Sequence, residues 1–595
     1  MSPIEARDLT KRFGEAVAVD GVTFSVRPGE VTGFLGRNGA GKSTTLRMIL
    51  GLERPTSGSV TVDGGPYADL VAPLQQVGSL LDARAVQPGA TATDHLLALA
   101  RSNGIGRRRI GEVLDSVGLG EVARKRAGTF SLGMLQRLGL AAALLGDPPI
   151  LVLDEPLNGL DPEGIIWFRG LMRRMAAEGR TVLVSSHLMT EMSVTADRLL
   201  IIGEGRLLVD SDMVTFQREH EHEEIRVRTP DPQSLRSRVV GAGGTVRDLD
   251  ATSFAVSGLD GPTVGGLALR AGIELHELAS VRRSLEDAFM ELTAPGAQRA
   301  PAPARPVPMP ARPVLADVSP TRPGLSDGDP AALERPATRF RDIVRSELIK
   351  FRSTRPGPLI VAGSLIAGAG SALLFADSTA RRYPDFDVDE RRLFDPTLTI
   401  LRGRTVLEVT MGVLGALAVT SEYGAGTIAP SLAAVPDRDR LLAAKALTTA
   451  GIALGTGLAA GAGGFLAGQA LLARRGVPHD TLRSPGSARA VLGSGLHATI
   501  AALLGLGIGV HTRSTAGAVS TLFAAEWLVP GIGPAFPEPL PALLTKYWLT
   551  EAGASIFVTR PDPEVLGPWA GLGVMTGSTA AVFGSALAAF RRRDV

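Results

Sequence analysis

The sequence contains no cysteine among its 595 residues, which excludes disulfide bonds and thiolate metal sites. It also lacks an excess of either charge, because 62 Lys and Arg stand against 60 Asp and Glu, a formal net charge of +2. A general nucleic-acid binder shows a concentrated basic excess, so we expect no nucleic-acid partner. The N-terminal stretch "MSPIEARDLTKRFG" has no basic-then-apolar signal peptide. We therefore expect the first half of the chain to work in the cytosol.

The chain is too long for one domain, and its composition changes along its length. Short β-branched runs alternate with amphipathic helical patterns over 1–215, which predicts an α/β domain with a largely parallel sheet. A small α+β appendage is predicted at 216–293, and a Pro/Ala-rich linker at 294–338. Long apolar segments at 339–595 predict an all-α, polytopic membrane domain.

The membrane domain is predicted to begin with an interfacial helix. A bilayer core of ~30 Å takes about 20 apolar helical residues. The basic amphipathic stretch at 339–353 predicts a helix in the membrane interface, with an ordinary surface helix as the alternative. About six spans are predicted, near 357–376, 402–421, 446–472, 490–511, 516–534 and 568–590. An even count and the basic residues beside the spans predict a multi-pass protein of the cytoplasmic membrane, in contact with its lipids, with both termini in the cytosol.

One acidic residue, Glu526, interrupts the apolar run at 516–534. A charged side chain is costly in lipid, so this carboxyl group must face a cavity or a partner if the run crosses the membrane. A site for a cationic substrate and a position at a helix end both account for it.

A glycine-rich stretch, "GRNGAGKST", matches the G-x-x-x-x-G-K-[ST] phosphate loop, after an apolar strand and before a predicted helix. Backbone N–H groups of such a loop surround phosphate oxygens, and the helix N-terminus adds its positive end. We expect Lys42 to reach the β- and γ-phosphates of ATP and the Ser43 hydroxyl to bind Mg²⁺. The predicted nucleotide contacts in this loop are Gly36, Asn38, Gly39, Gly41, Lys42, Ser43 and Thr44.

The stretch "ILVLDEP" predicts the second half of the site. Its apolar residues place Asp154 at the carboxyl end of a strand, where ligands gather in open α/β sheets. Asp154 is predicted to hold Mg²⁺ through water, and Glu155 to act as general base on the attacking water. A solvated strand end is the alternative. His187 follows another apolar strand in "VLVSSHLM" and is predicted to hydrogen-bond the γ-phosphate.

The ordered set of the phosphate loop, "SLGM", "LVLDEP", "NGLD" and "SSH" resembles the ATP-binding-cassette (ABC) transporter family over residues 1 to about 215. The resemblance implies that the signature motif of one cassette faces the γ-phosphate bound by another. "FSLGM" matches that motif at Ser131, which would donate its hydroxyl to the phosphate, and at Gly133, which would allow close backbone approach. Leu132 and Met134 replace the usual Gly and Gln.

The resemblance implies roles for three further residues. Asp161 in "NGLD" would form a contact between two cassettes. Phe13 is placed like the aromatic residue that stacks on adenine, although a plain core Phe is the alternative. Asp82 stands where the family usually has the Gln or Glu of the Gln loop, and Gln87 is the alternative for that position.

The chain carries one cassette and one membrane set, so it resembles a half-transporter, and a homodimer would supply both halves twice. The stretch with Glu422 and Tyr423 is similar to the coupling region of type 2 ABC permeases, and "SELIKFRST" to their entry helix. The cassette motifs look most like those of drug- and antibiotic-resistance exporters. We therefore expect ATP-driven export of an amphipathic small molecule (drug, antibiotic or natural product) or a lipid. The alternative is a membrane-anchored ATPase that senses or drives a partner without moving a solute.

Overall fold

The computed structural model describes residues 3–220, 223–282, 284–294, 338–537, 539–560 and 565–594. Contacts divide the chain into two compact units, one of Met1–Pro66 with Pro149–Ala332 and one of Tyr67–Pro148 with Leu333–Val595. Except for its end residues Ala294 and Thr338, the predicted linker lies outside the described residues. The domain boundaries given above remain predictions.

The strands, in chain order, are β1 (Ile4–Phe13), β2 (Ala16–Val26), β3 (Val31–Leu35), β4 (Ser57–Val62), β5 (Val77–Leu80), β6 (Ile150–Leu153), β7 (Thr181–Ser186), β8 (Arg198–Gly203), β9 (Arg206–Asp212), β10 (Glu223–Arg228), β11 (Thr245–Asp248), β12 (Ser253–Ser257) and β13 (Glu277–Arg282). In the first unit β6, β7, β3, β8 and β9 lie side by side in that order. The strands β6, β7, β3 and β8 are parallel, and β9 is antiparallel to β8. Every residue of β3, β6 and β7 is buried, as expected for parallel strands that are covered on both faces. The carboxyl ends of these three strands therefore meet at one edge.

Two smaller antiparallel sheets complete the first unit, with strand orders β2-β1-β4 and β11-β12-β10-β13. The second of them lies within the predicted appendage. Its strands bury an apolar core that includes Val227, Phe254 and Val256. The predicted α+β character of this segment matches what the structure describes.

The helices, in chain order, are α1 (Lys42–Ile49), α2 (Pro73–Gln76), α3 (Ala92–Ser102), α4 (Arg107–Ser116), α5 (Leu132–Leu144), α6 (Pro162–Ala177), α7 (Met189–Ser193), α8 (Met213–His220), α9 (Pro232–Gly241), α10 (Gly261–Arg270), α11 (Leu285–Leu292), α12 (Phe340–Ser353), α13 (Pro356–Arg382), α14 (Val388–Leu393), α15 (Pro396–Ile400), α16 (Arg404–Gly424), α17 (Ile428–Ala434), α18 (Arg438–Arg474), α19 (Ser487–Thr512), α20 (Thr515–Phe523), α21 (Val529–Ile532), α22 (Leu540–Tyr547), α23 (Leu549–Ala554) and α24 (Pro568–Arg592).

Five helical segments among the described residues are long and apolar enough to cross a membrane: Pro356–Asp385, Pro396–Gly424, Arg438–Arg474, Ser487–Thr512 and Pro568–Arg592. The predicted span at 516–534 differs from these five. There the chain forms α20, a π-helical turn at Ala524–Leu528 and the single turn α21. The inward-facing Glu526 and the following Pro530 and Pro534 account for the interruption, because proline cannot continue a regular helix. An odd count of five spans does not by itself place both termini on the same side of the membrane.

The long helices run alternately toward and away from one end of the second unit. At that end, which we name the contact side, the carbonyls of Ala433 and Ala434 in α17 accept hydrogen bonds from the 67–148 segment. Arg438 at the start of α18 donates to the Phe590 carbonyl in the last turns of α24, at 2.9 Å. The C-terminal end of α24 therefore also lies on the contact side.

The broken segment α20–α21 carries the chain away from the contact side. Thr515 at the start of α20 lies on the contact side, its hydroxyl 2.9 Å from that of Thr420 near the end of α16. Because α24 returns to the contact side, the chain must leave it through α20, the π-helical turn and α21. A broken helix takes the place of the sixth regular span.

The predicted interfacial helix forms as α12, and its buried face packs on α3. The Ser346 hydroxyl donates a hydrogen bond of 2.7 Å to the Ala98 carbonyl, and Ile343 is 1% exposed. This face is covered by protein, whereas Arg341 and Arg345 are exposed.

Four charged side chains join α12, α16 and α18, three of them buried and the fourth, Lys350, half-buried. We name them the coupling cluster. Lys445 contacts Glu347 at 2.8 Å and Glu422 at 2.6 Å, and its side chain is 1% exposed. Lys350 contacts the same two carboxylates at 2.7 and 2.8 Å, and also the Ser431 hydroxyl of α17 at 3.0 Å. Burial lowers the pKa of Lys350, but the two carboxylates outweigh it and raise that pKa above its ordinary value. The cluster is neutral overall, which permits its burial.

Replacing Lys445 by Ala should destabilise the second unit, because it leaves Glu347 and Glu422 with one cation instead of two. Removing one partner of a buried ion pair costs about 3–5 kcal/mol. We expect a clear fall in the melting temperature of the detergent-solubilised protein. Lys125→Ala, at an exposed position, is the matched control and should melt like the unchanged protein. Equal melting temperatures for the two variants would show that the cluster does not hold these helices together.

Candidate nucleotide site

The loop between β3 and α1 leaves no room for side chains at two of its glycines. A Cβ atom at Gly36 would lie 2.6 Å from the Ile202 carbonyl oxygen. One at Gly41, whose φ is +104°, would lie 2.5 Å from that of Ala18. Only glycine fits both positions, so the backbone can curve tightly into the N-terminus of α1. That curve is what a phosphate-binding loop requires.

The remaining loop residues lie where an incoming phosphate could reach them. Asn38, Gly39 and Ser43 are exposed, and Thr44 is half-buried in the first turn of α1. Gly39 has a φ of +81° with open space around it. These four residues thus offer backbone, amide and hydroxyl groups to a bound phosphate.

Lys42 points back into the loop. Its ammonium group donates to the Gly36 carbonyl at 2.6 Å and to the Arg37 carbonyl at 3.3 Å. It also lies 3.3 Å from the Glu155 carboxylate, and its side chain is 6% exposed. A phosphate bound in the loop would therefore find a buried cation beside the predicted general base.

Asp154 lies at the end of β6, held by a serine of the adjacent strand β7. The Ser185 hydroxyl donates to the Asp154 carboxylate, and Ser43 hydrogen-bonds the same group. Burial raises the pKa of Asp154, while these two hydrogen bonds act in the opposite direction. A buried carboxylate next to a hydroxyl is a set of hard oxygen donors, which suits Mg²⁺. Ser43 and Asp154 therefore fit the metal predicted for them.

Glu155 lies at the centre of the site. Its backbone N–H donates to Ser185 at 2.9 Å, and its φ of +46° is in the left-handed region, which is uncommon for residues other than glycine. One carboxylate oxygen faces Lys42, and the other lies 2.9 Å from Nδ1 of His187. The structure thus brings together the three residues predicted to be catalytic, Lys42, Glu155 and His187. The strained backbone is held by these contacts.

Two other predicted residues of the first unit lie outside this group of contacts. Asp161 is the N-cap of α6 and accepts the Gly164 N–H at 2.9 Å. Phe13 ends β1 with 47% of its surface exposed, and the Lys11 ammonium lies 5.0 Å from its ring centre. The exposure of Phe13 disfavours the alternative of a plain core residue.

Ser131 and Gly133 open helix α5 in the second unit. Ser131 is the N-cap, is exposed, and accepts the Met134 N–H at 3.3 Å. Gly133 lies half-buried in the first turn. The predicted signature motif is therefore an exposed helix N-terminus headed by a hydroxyl group, which is an anion-binding arrangement.

The two candidates for the Gln-loop position differ in their contacts. Asp82 is exposed and accepts the Arg84 N–H at 2.8 Å, which closes its own turn. Gln87 donates to the Ser421 carbonyl of α16 at 3.1 Å and lies 3.5 Å from the Thr427 hydroxyl. Of the two, Gln87 makes the contact with the membrane-domain helices.

Two further residues of the 67–148 segment hold α17, and the motifs did not identify them. The buried Tyr67 hydroxyl donates to the Ala433 carbonyl at 2.8 Å, and the Asn103 amide donates to that of Ala434 at 3.0 Å. Burial raises the pKa of Tyr67. The coupling stretch expected at Glu422 and Tyr423 is the last turn of α16, and the short helix that meets this segment is α17.

The N-terminal half of the chain is similar to ATP-binding proteins of transporters. A family model described as ABC transporter matches residues 19–158. The uncharacterized ABC transporter ATP-binding protein YhcH of Bacillus subtilis (strain 168) is 34% identical over 293 residues, which cover 49% of this chain and 95% of that protein. The chain belongs to the ABC transporter family. A model of a domain of unknown function, DUF8746, matches residues 223–286 of this ABC transporter.

Two further relatives carry names that describe export or transport. The bacitracin transport ATP-binding protein BcrA of Bacillus licheniformis is 45% identical over 208 residues, 34% of this chain and 68% of that protein. The Nod factor export ATP-binding protein I of Burkholderia orbicola (strain AU 1054) is 35% identical over 302 residues, 49% of this chain and 97% of that protein. A solved ATP-binding subunit of an ABC transporter is 29% identical and covers 37% of this chain and 93% of its own, with a TM-score of 0.34.

Family membership defines the coarse activity. This ABC transporter hydrolyses ATP in an N-terminal cassette of P-loop fold, and five apolar helices follow the cassette in the same chain. The site residue that the motifs missed is Ser185, which positions both Asp154 and Glu155. The sequence signal for Ser185 is "VLVSSH", since a hydroxyl at the end of the strand beside β6 can reach the carboxylates that follow β6.

Replacing Ser185 by Ala should lower the ATP turnover number, because it removes the hydroxyl that holds Asp154 and the backbone of Glu155. Loss of such a supporting hydrogen bond costs roughly 10- to 100-fold in activity. Steady-state hydrolysis by the purified full-length protein measures it. Ser193→Ala is the control, since its hydroxyl donates only locally, to Thr190. An unchanged rate for Ser185→Ala would mean that neither carboxylate depends on this contact.

Proposed function

We propose that this ABC transporter is an ATP-driven exporter that works as a homodimer. Its cargo is an amphipathic small molecule, such as a drug, antibiotic or natural product, or a lipid, moved out across the cytoplasmic membrane. The relatives named for bacitracin transport and Nod factor export support the direction and the class of cargo. The observation that carries the proposal is the hydrogen bond of Gln87 with α16, together with those of Tyr67 and Asn103 with α17. Through these hydrogen bonds, a movement of the 67–148 segment acts directly on the membrane helices.

Two helix N-termini that can each bind an anion support the homodimer, because one chain contains both. The phosphate loop already uses the N-terminus of α1, which begins at Lys42. Ser131 heads a second, exposed helix N-terminus. A nucleotide held by the loop of one chain and covered by Ser131 of a second chain uses both. Asp161, at the start of α6, would lie at the contact between the two cassettes.

The hydrolytic step follows from the contacts of Glu155. Its carboxylate lies between Lys42 and His187. The γ-phosphate of ATP attracts the Lys42 ammonium and accepts a hydrogen bond from His187, which frees Glu155 to orient and deprotonate the attacking water. Ser43 and Asp154 would hold Mg²⁺, which supplies neutralisation of phosphate charge when bound. Phe13 would stack on the adenine ring.

The orientation is supported by the helix ends. The contact side, where α17 meets the 67–148 segment, also holds the end of α24 and its basic residues Arg591 to Arg593. A cytosolic contact side obeys the positive-inside rule and places the cassette and both termini in the cytosol. The protein is then a multi-pass protein of the cytoplasmic membrane.

Mixing two inactive variants tests the shared site. Ser131→Arg and Lys42→Ala should each abolish hydrolysis, Ser131→Arg without loss of ATP binding by the loop. In a random mixture half of the dimers contain one of each chain, and one of their two sites is intact, so hydrolysis should recover to about a quarter of the unchanged rate. Lys42→Ala mixed with a chain that carries both changes is the control and should stay inactive. No recovery in the first mixture would contradict a nucleotide shared between chains.

Transport itself is tested in proteoliposomes with a panel of amphipathic drugs and fluorescent lipids. We expect ATP-dependent flux for at least one of them, and none with Glu155→Gln, which binds ATP but lacks the general base. Intact hydrolysis without flux across the whole panel would support the alternative of an ATPase that drives a partner.

A further inference from the structure

A groove of about 400 Å³ lies where helix α12 meets the end of α3. Five side chains line it, Arg101 of α3 and Arg345, Leu348, Ile349 and Arg352 of α12. We name these five residues the arginine groove. Its volume lies within the ~300–1,000 Å³ that is typical of ligand sites. Neither the nucleotide site nor the coupling cluster includes any of the five residues.

The four α12 residues of the arginine groove share one face of the helix. They follow one another at intervals of three or four residues, so they lie on successive turns of the same side. The opposite side of α12 carries Ile343, Ser346 and Glu347, which are buried. The groove therefore occupies the side of α12 that the packing on α3 and the coupling cluster leaves open.

The three arginines of the groove carry positive charge that acidic side chains compensate only in part. Arg101 and Arg352 are exposed, and neither forms an ion pair with an acidic side chain among the described residues. Arg345 lies 3.4 Å from the Asp342 carboxylate, and its side chain is 60% exposed. Guanidinium groups bind phosphate oxygens through two parallel N–H donors, so three of them around one groove suit a phosphate group.

The position of the groove in the chain places it at the membrane surface. Arg352 precedes Pro356, the first residue of the first apolar span, by only four residues. Leu348 and Ile349 lie half-buried between the arginines. Basic residues interleaved with apolar residues are typical of a helix that contacts head groups and the upper part of the acyl chains. A phospholipid matches both kinds of side chain.

The groove also lies on the contact side of the second unit. Glu347 of α12 contacts Lys445, which is two turns from the start of α18. With the contact side in the cytosol, the groove faces the inner leaflet. That leaflet carries anionic phospholipids, which attract basic residues next to a membrane span.

We propose that the arginine groove binds the phosphate group of an anionic phospholipid, and that the bound lipid joins α3 to α12. The inference rests on the proposed exporter function, in particular on its cytosolic contact side. Arg101 belongs to the 67–148 segment, whereas Arg345 and Arg352 belong to the helix that precedes the membrane spans. A phosphate held by both helices adds to the hydrogen bond of Ser346 with the Ala98 carbonyl. The lipid thereby strengthens a contact between the cassette and the membrane domain.

The probe is phosphatidylglycerol, and phosphatidylcholine with the same acyl chains is the control lipid, because its choline cation cancels the phosphate charge. Native mass spectrometry of the full-length protein in detergent counts the lipids bound to each chain. We expect one phosphatidylglycerol per chain to bind about tenfold or more tightly than phosphatidylcholine. Arg101→Gln, Arg345→Gln and Arg352→Gln should each weaken this binding about fivefold. Arg341→Gln is the matched control, since Arg341 is an exposed arginine of the same helix that does not line the groove.

Thermal unfolding checks that each variant is folded. Equal binding of the two lipids would overturn the proposal. An equal loss in Arg341→Gln and Arg345→Gln would also overturn it, because the lipid would then respond to the basic surface as a whole. Unchanged binding in Arg101→Gln would contradict the connection to α3.

Glycerol 3-phosphate separates a lipid from a soluble phosphate compound. It lacks acyl chains for Leu348 and Ile349 to contact, so we expect it to bind about tenfold or more weakly than phosphatidylglycerol. Equally tight binding would contradict the lipid. Transport in proteoliposomes without selective binding of phosphatidylglycerol would overturn the groove and leave the exporter standing. Selective binding in a protein that moves no solute would support the groove and contradict the exporter.

Discussion

The ion contacts of Lys445 are the constraint on which the arrangement of the second unit depends. A fully buried ammonium group is tolerated only because Glu347 of α12 and Glu422 of α16 lie within 2.8 Å of it. Lys350 neutralises the remaining negative charge and adds a hydrogen bond to α17. Such a cluster has few acceptable geometries, since moving one helix away leaves a charge uncompensated. It therefore couples the helix that precedes the membrane spans to the helices that flank α17.

The same principle governs the nucleotide site. Glu155 is held in a left-handed backbone conformation by Ser185, Lys42 and His187, and two of these contacts are charged or can be. A triphosphate competes directly for Lys42 and His187, so its arrival changes the balance of forces on the general base. Both sites are held by compensated charges rather than by apolar packing alone.

The motifs could define a candidate nucleotide site because its residues lie close to glycine-rich or strand-end signals in the sequence. Lys42, Glu155 and His187 could be placed together once β3, β6 and β7 were recognised as parallel neighbours. Family membership and the cassette fold are confirmed, whereas the roles of the individual residues stay predictions. The contacts of Gln87, Tyr67 and Asn103 with the membrane helices could not be predicted, because they join residues more than 330 positions apart. The prediction of a regular span at 516–534 is wrong, since hydropathy does not report a π-helical turn.

Helix α16 carries two buried carboxylates of the membrane domain, Glu408 and Glu422. It carries Glu408 near one end and Glu422 in its last turns, 14 residues or about 21 Å apart. A continuous helix of this length transmits a shift or rotation from one end to the other, because its backbone hydrogen bonds resist bending. The coupling cluster at its other end, which allows few geometries, is where such a displacement has to be absorbed. The buried contact of Glu408 with His497 and the contact of α17 with the 67–148 segment are therefore linked through one rigid element.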